Sequence, residues 1–91
     1  MTDILVVCDN RKQAFAEFYQ YWNLCRRLGL DVSRRVDIAL ECITKRPKLY
    51  VRFITQNQHD KAIKGFRGEV MGPERFRETV ADIFKSIKEE Q

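Results

Sequence analysis

Five consecutive apolar residues near the start of the chain, Ile4-Leu5-Val6-Val7-Cys8, stop at Asp9-Asn10 and pass at once into a helical pattern beginning at Arg11. A run this short, with no polar alternation, reads as a strand buried on both faces, the kind found inside parallel sheets. Asn10 is a good helix N-cap, and Gln13 lies three residues on, as a capping box requires. A buried strand that feeds a helix N-terminus is a common way to build an anion site. With Asp3 ahead of it, the run is too short and too polar at its start to be a signal peptide or a membrane span.

Beyond this point the periodicity alternates between helix and strand. Ala14, Phe18, Tyr21, Trp22, Cys25 and Leu28 recur at helical spacing, predicting a helix over 11–28 with Gly29 as its stop. Leu30 to Arg35 reads as a connector. Val36, Ile38, Leu40 and Cys42 then alternate with Asp37, Ala39, Glu41 and Ile43, the period-2 pattern of a half-buried strand. Thr44 to Lys48 reads as a turn, and Leu49 to Thr55 as the second arm of an antiparallel hairpin. A short helix follows near 58–64, ended by Gly65. Glu69-Val70-Met71 makes a last strand, and Pro73 opens a final helix with Phe76, Val80, Ile83 and Phe84 on its apolar face. The predicted order is β-α-β-β-α-β-α in a single α/β domain spanning residues 1–91. The sheet is mixed, with a parallel centre, one antiparallel hairpin on one side and helices on both faces.

The chain has 91 residues and a net charge of +4, which favours partners carrying negative charge. Its three cysteines, Cys8, Cys25 and Cys42, are odd in number and widely spaced, so they form neither a disulfide framework nor a zinc motif. All fall at apolar positions, which points to buried thiols and a cytoplasmic protein.

The run Leu5 to Ala14 resembles the segment of phage terminase and helicase motor domains in which a strand ends in a polar turn and enters a helix carrying a Gln-Ala pair, here Gln13-Ala14. Phe53-Ile54-Thr55, followed by Ile63 to Met71, is similar to the part of those motors where a hairpin leads through an R-G-x-R-G type turn to the Walker B strand. Small phage proteins share the layout. The chain departs from the motors in lacking a G-x-x-x-x-G-K-[ST] loop and in placing Gly72 and Pro73 where the Walker B acids stand, with Glu74 the nearest carboxylate. The resemblance therefore implies a P-loop-like domain without Walker motifs. It would be phage-encoded, regulatory and non-enzymatic, with no ATP hydrolysis.

Candidate chemistry gathers at three places. At the end of the first strand, Asn10, Arg11 and Lys12 surround helix amides that could hold a phosphate, unless Asp9 and Asn10 cap them. In Lys64-Gly65-Phe66-Arg67-Gly68, two glycines bring backbone close to a ligand while Phe66 stacks on a base. This turn precedes its strand, so it lies at the sheet end opposite the first place. The hairpin, with Lys45, Arg46 and Lys48 at its tip and Arg34, Arg35, Arg52 and Tyr50 along it, makes a basic ribbon for phosphate backbone. The direction of the Leu49–Thr55 strand relative to the first is left open by pattern alone, and with it the place of Thr55-Gln56-Asn57. No cluster has metal-ligand spacing and no cofactor motif is present. His59 reads as a solvated loop residue, Cys8 as a core thiol, and Asp9 and Glu41 as surface carboxylates. The expected partner is a nucleotide-like ligand or nucleic acid. The alternative is a protein-interaction module acting on a host or phage protein. Tyr19, Tyr21 and Trp22 are also candidates for a homodimer face.

Overall fold

The computed structural model describes residues 2–36 and 40–90. Strand β1 (Thr2–Cys8) leads into helix α1 (Arg11–Arg27), followed by β2 (Val32–Arg35), β3 (Leu40–Lys45) and β4 (Lys48–Thr55). A single 3-10 turn (Gln56–Gln58) and the short helix α2 (His59–Ile63) connect to β5 (Glu69–Met71) and helix α3 (Pro73–Glu90). The five strands form one mixed sheet in the order β2-β3-β4-β1-β5. β1 runs parallel to both its neighbours, and β2, β3 and β4 are joined antiparallel. The opening apolar run thus occupies the interior of the sheet, where strand neighbours on each side and side chains above and below remove all of it but the half-buried Val7 from water. Ile4, Leu5, Val6 and Cys8 are all buried.

Both ends of α1 follow from local chemistry. Asn10 Oδ1 accepts from the Gln13 backbone N–H at 2.8 Å, and Gln13 Oε1 accepts from the Asp9 N–H at 2.6 Å. At the other end Gly29, at φ +73°, donates to the Arg26 carbonyl while Leu30 donates to that of Cys25, both at 3.0 Å. That pair of bonds closes a Schellman motif, which needs a residue tolerant of the left-handed region. α3 starts as expected with Pro73 in its first turn, and the Phe76 N–H reaches the Gly72 carbonyl at 3.0 Å.

Alternate residues of each strand point to opposite faces. Ile4, Val6 and Cys8 of β1, Cys42 of β3, and Val51 and Phe53 of β4 face Ala14, Phe18, Tyr21 and Cys25 of α1 and Phe76, Val80 and Phe84 of α3 in one core. The two long helices therefore share this front face. Tyr21 joins them, its ring 5.1 Å from that of Phe76, 6.2 Å from Phe84 and 6.2 Å from Phe53. Leu5 and Ile54 point to the back face and are buried as well.

Two expectations need correction. The connector expected over 30–35 contains β2, an edge strand whose Arg34 pairs with Cys42 and Arg35 with Glu41. The five-residue turn expected over 44–48 is a two-residue one. Lys45 pairs with Lys48 across Arg46-Pro47, and the Thr44 hydroxyl donates to the Pro47 carbonyl at 2.6 Å. Residues 37–39 of the strand expected over 36–43 lie outside the described residues, and its remainder from Leu40 onward is β3.

Candidate functional site

Because β4 is parallel to β1, with Cys8 opposite Thr55, their carboxyl ends open side by side. A cavity of about 370 Å³ lies there, lined by Asp9, Asn10, Arg11 and Ala14 from the start of α1, Thr55, Asn57 and Gln58 after β4, and Val36, Leu40, Phe53 and Ile54. The floor is apolar; the rim carries amides, a hydroxyl and a guanidinium. In open α/β sheets ligands collect at the carboxyl ends of the strands, because loops rather than strands supply the wall there. The Gln13 amide is spent on the Asn10 cap, and it is Asn10, not the Asp9 carboxylate, that accepts it. The amides of Arg11 and Lys12 have no intrahelical acceptor, as at any helix start. Thr55, Asn57 and Gln58 join the site only through the direction of β4, which pattern alone left open. Gln58 Oε1 accepts from the Thr55 backbone N–H at 3.1 Å and so shapes the wall beside Asn57.

The second candidate group sits elsewhere. Gly68 precedes β5 and lies against Asp3 at the amino end of β1, so Lys64 to Gly68 and Asn10 to Lys12 occupy opposite ends of the sheet. A Cβ on Gly68 would run into the Asp3 backbone carbonyl. Gly65 takes a left-handed φ of +72°, Phe66 is half-buried, and its N–H donates to the Ile63 carbonyl at 3.2 Å. These glycines turn and pack the chain, and Lys64 and Arg67 remain as exposed cations.

The basic ribbon divides. Alternation across β2 puts Arg34 on the front face, where its guanidinium lies 4.1 Å from the Trp22 ring, and Arg35 on the back. Lys45, Lys48, Tyr50 and Arg52 share that back face. Two of these cations are already engaged: Lys45 Nζ lies 3.3 Å from Asp31, and Arg52 Nε lies 3.2 Å from Glu41. Glu41 is 5% exposed, not the surface carboxylate expected, because Arg52 covers it across the β3–β4 pair. Arg46 is exposed at the tip. Tyr21, expected on a dimer face with Tyr19 and Trp22, is buried in the core. His59 opens α2, with Nδ1 3.6 Å from Asp60.

All three cysteines are buried and unpaired. Burial, with Glu17 and Asp9 adding repulsion, pushes the Cys8 thiol up to about 11. Burial likewise pushes Cys25 to about 11 and Cys42 to about 12. Cys8 therefore stays protonated despite preceding a helix N-terminus, and no thiolate nucleophile is poised at the site. In the unfolded chain the thiols ionise near pH 9, so between there and about 11 the folded chain holds more protons. Stability is then expected to fall as pH rises through that window, by up to ~1.4 kcal/mol per pH unit for each thiol. Urea melts at a series of alkaline pH values measure it; a flat profile above pH 9 would refute the burial argument.

Among the described residues no group of three or more His, Cys, Asp or Glu side chains is arranged to hold a metal ion. No helix of the described residues is long and apolar enough to cross a membrane. No family model, curated protein or solved structure matches the chain.

Proposed function

We propose that this chain is a non-enzymatic binding module, and that its ligand is a nucleotide-like molecule carrying phosphate, held at the carboxyl ends of β1 and β4. The observation that carries the reading is the cavity itself. An apolar floor of Phe53, Leu40 and Ala14 suits a flat ring, Asn57 and Asn10 offer hydrogen bonds to its edge, and Arg11 with the first amides of α1 meets the phosphate. The phage-encoded, P-loop-like character expected from the resemblance is compatible with a phosphate ligand. The burial of Leu5 and Ile54 suits a right-handed β4-to-β5 crossover that lays the α2 segment on the back face.

A panel of nucleoside mono- and diphosphates tests this by thermal denaturation. A ligand at 100 times its Kd is expected to add about 2.7 kcal/mol, raising Tm by roughly 10 °C or more. Asn57→Ala and Arg11→Ala should abolish the rise, whereas Lys64→Ala and Arg67→Ala, at the opposite end of the sheet, should leave it intact. No rise with any member of the panel defeats the reading.

A second reading, an interaction module acting on a host or phage protein, is favoured by one observation. A cleft of about 930 Å³ lies between α1 and α3, with Leu24, Val80 and Ala81 on its walls and Arg26, Arg27 and Arg77 at its rim. Under that reading Leu24→Glu would abolish association with the protein partner, and no nucleotide would shift Tm.

A further inference from the structure

Along the side of α1 that faces β2, cations and aromatic rings form one continuous chain of contacts. The Arg11 guanidinium lies over the Phe15 ring at 5.4 Å, and Phe15 stacks on Tyr19 with centroids 6.3 Å apart and planes 18° from parallel. Arg34 of β2 reaches across to Tyr19 at 5.9 Å and to Trp22 at 4.1 Å, and Arg26 covers Trp22 at 4.7 Å. Positions 11, 15, 19, 22 and 26 fall three or four residues apart, so they stack along one helical stripe about 22 Å long.

Among the described residues the charge of this strip, on Arg11, Arg26 and Arg34, has no carboxylate beside it, unlike that of Arg77, which binds Glu17 at 2.9 Å, and of Arg52, which binds Glu41 at 3.2 Å. Glu17, the single acidic residue of α1, lies on the opposite flank of the helix, against α3. A guanidinium stacked on a ring keeps its N–H edge free for phosphate oxygens and is already held in place, so little side-chain freedom remains to be lost on binding. Tyr19 is 40% exposed, so part of its ring is open to a base beside the contacts it makes with Phe15, Phe18 and Arg34.

We infer that the α1–β2 strip of Arg11, Phe15, Tyr19, Trp22, Arg26 and Arg34 binds single-stranded nucleic acid, with the guanidiniums on successive phosphates and Tyr19 stacked on a base. Positive charge interleaved with aromatic faces is the recognition chemistry of an unpaired strand, because a duplex hides its base faces in the stack and leaves only base edges and phosphates exposed. The strip shares Arg11 with the β1–β4 cavity and Arg34 with the basic ribbon, while Phe15, Tyr19, Trp22 and Arg26 belong to neither; Asn57→Ala would silence a nucleotide in the cavity and leave the strip as it is.

The test titrates the full chain into a labelled oligothymidylate of about fifteen nucleotides at about 50 mM salt, read by anisotropy and by the fluorescence of Trp22, the sole tryptophan. Binding is expected, with a change in Trp22 emission. Tyr19→Ala should weaken it about 5- to 150-fold while Tyr19→Phe restores it. Arg26→Ala and Arg34→Ala should each lower the log–log salt slope by about 0.7. Arg46→Ala and Lys48→Ala at the hairpin tip should leave affinity within about twofold, since their cations would carry no phosphate under this proposal. Absence of binding at low salt overturns the proposal. So does tighter binding of the matching duplex, or loss of binding confined to the hairpin variants. Far-UV circular dichroism of each variant separates lost contacts from lost fold.

Discussion

Replacing Gly68 with alanine is expected to cost about 3 kcal/mol or more, among the largest effects of any single methyl in this chain. The new Cβ would fall well inside contact distance of the Asp3 carbonyl, and the obstacle is chiefly backbone, which no rotamer change can clear. Relief requires β5 to part from β1 just where Ile4 pairs with Glu69. A three-residue strand has few ladder bonds to spare, so the loss is expected to spread into the attachment of α3. For a domain of this size the change corresponds to a Tm lowered by roughly 12 °C or more. Gly72→Ala is the matched control. An added Cβ there meets nothing within 4 Å, and the substitution should be neutral within about 0.5 kcal/mol. Equal Tm values for the two variants would refute the close approach of the chain at Gly68.

Tyr21→Ala is expected to cost about 3–5 kcal/mol, the range for removing a large buried aromatic. Tyr21 is 3% exposed and touches rings from β4 and α3 at once, so its loss opens a cavity at the junction of three elements. The expected signature is local as well as global. Amides of α3 should exchange faster than those of α1, because α3 leans on Tyr21 through both Phe76 and Phe84. Tyr21→Phe keeps the ring and removes a phenol oxygen that, among the described residues, has no hydrogen-bond partner; it should lie within about 1 kcal/mol of the parent. Hydrogen exchange and urea denaturation of the pair decide the point. An alanine variant with unchanged α3 protection would show that the aromatic cluster does not hold that helix.

The elements that could be read from the chain are those whose ends are set within a few residues. Asn10 with Gln13, Gly29, and Pro73 each satisfy or terminate their own helix, so α1 and the start of α3 match their expected positions closely. β1 was legible because an unbroken apolar run has few alternatives to a doubly covered strand. β2 was not, because Val32-Ser33-Arg34-Arg35 carries one apolar residue, and it exists as a strand because β3 offers it a ladder. The hairpin tip was misplaced because Thr44, Lys45 and Lys48 have turn-like chemistry. Thr44 is nevertheless buried in β3, its hydroxyl satisfied by the Pro47 carbonyl.

The candidate sites divide along the same line. Asn10 and Arg11 were visible beside the first strand, since a helix start announces itself through its cap. Thr55, Asn57 and Gln58 reached the same cavity through the parallel pairing of β4 with β1, a contact between residues nearly fifty positions apart. Charge behaved alike. Composition set a net +4, but which cations stay free depends on neighbours across the sheet: Glu41 takes Arg52, Asp31 takes Lys45, and Arg34 is drawn over Trp22. Propensity, capping and periodicity act between residues a few places apart and can be read along the chain. Strand direction, helix sidedness and ion pairing are interactions between distant segments, and they take definite values once burial has brought those segments together.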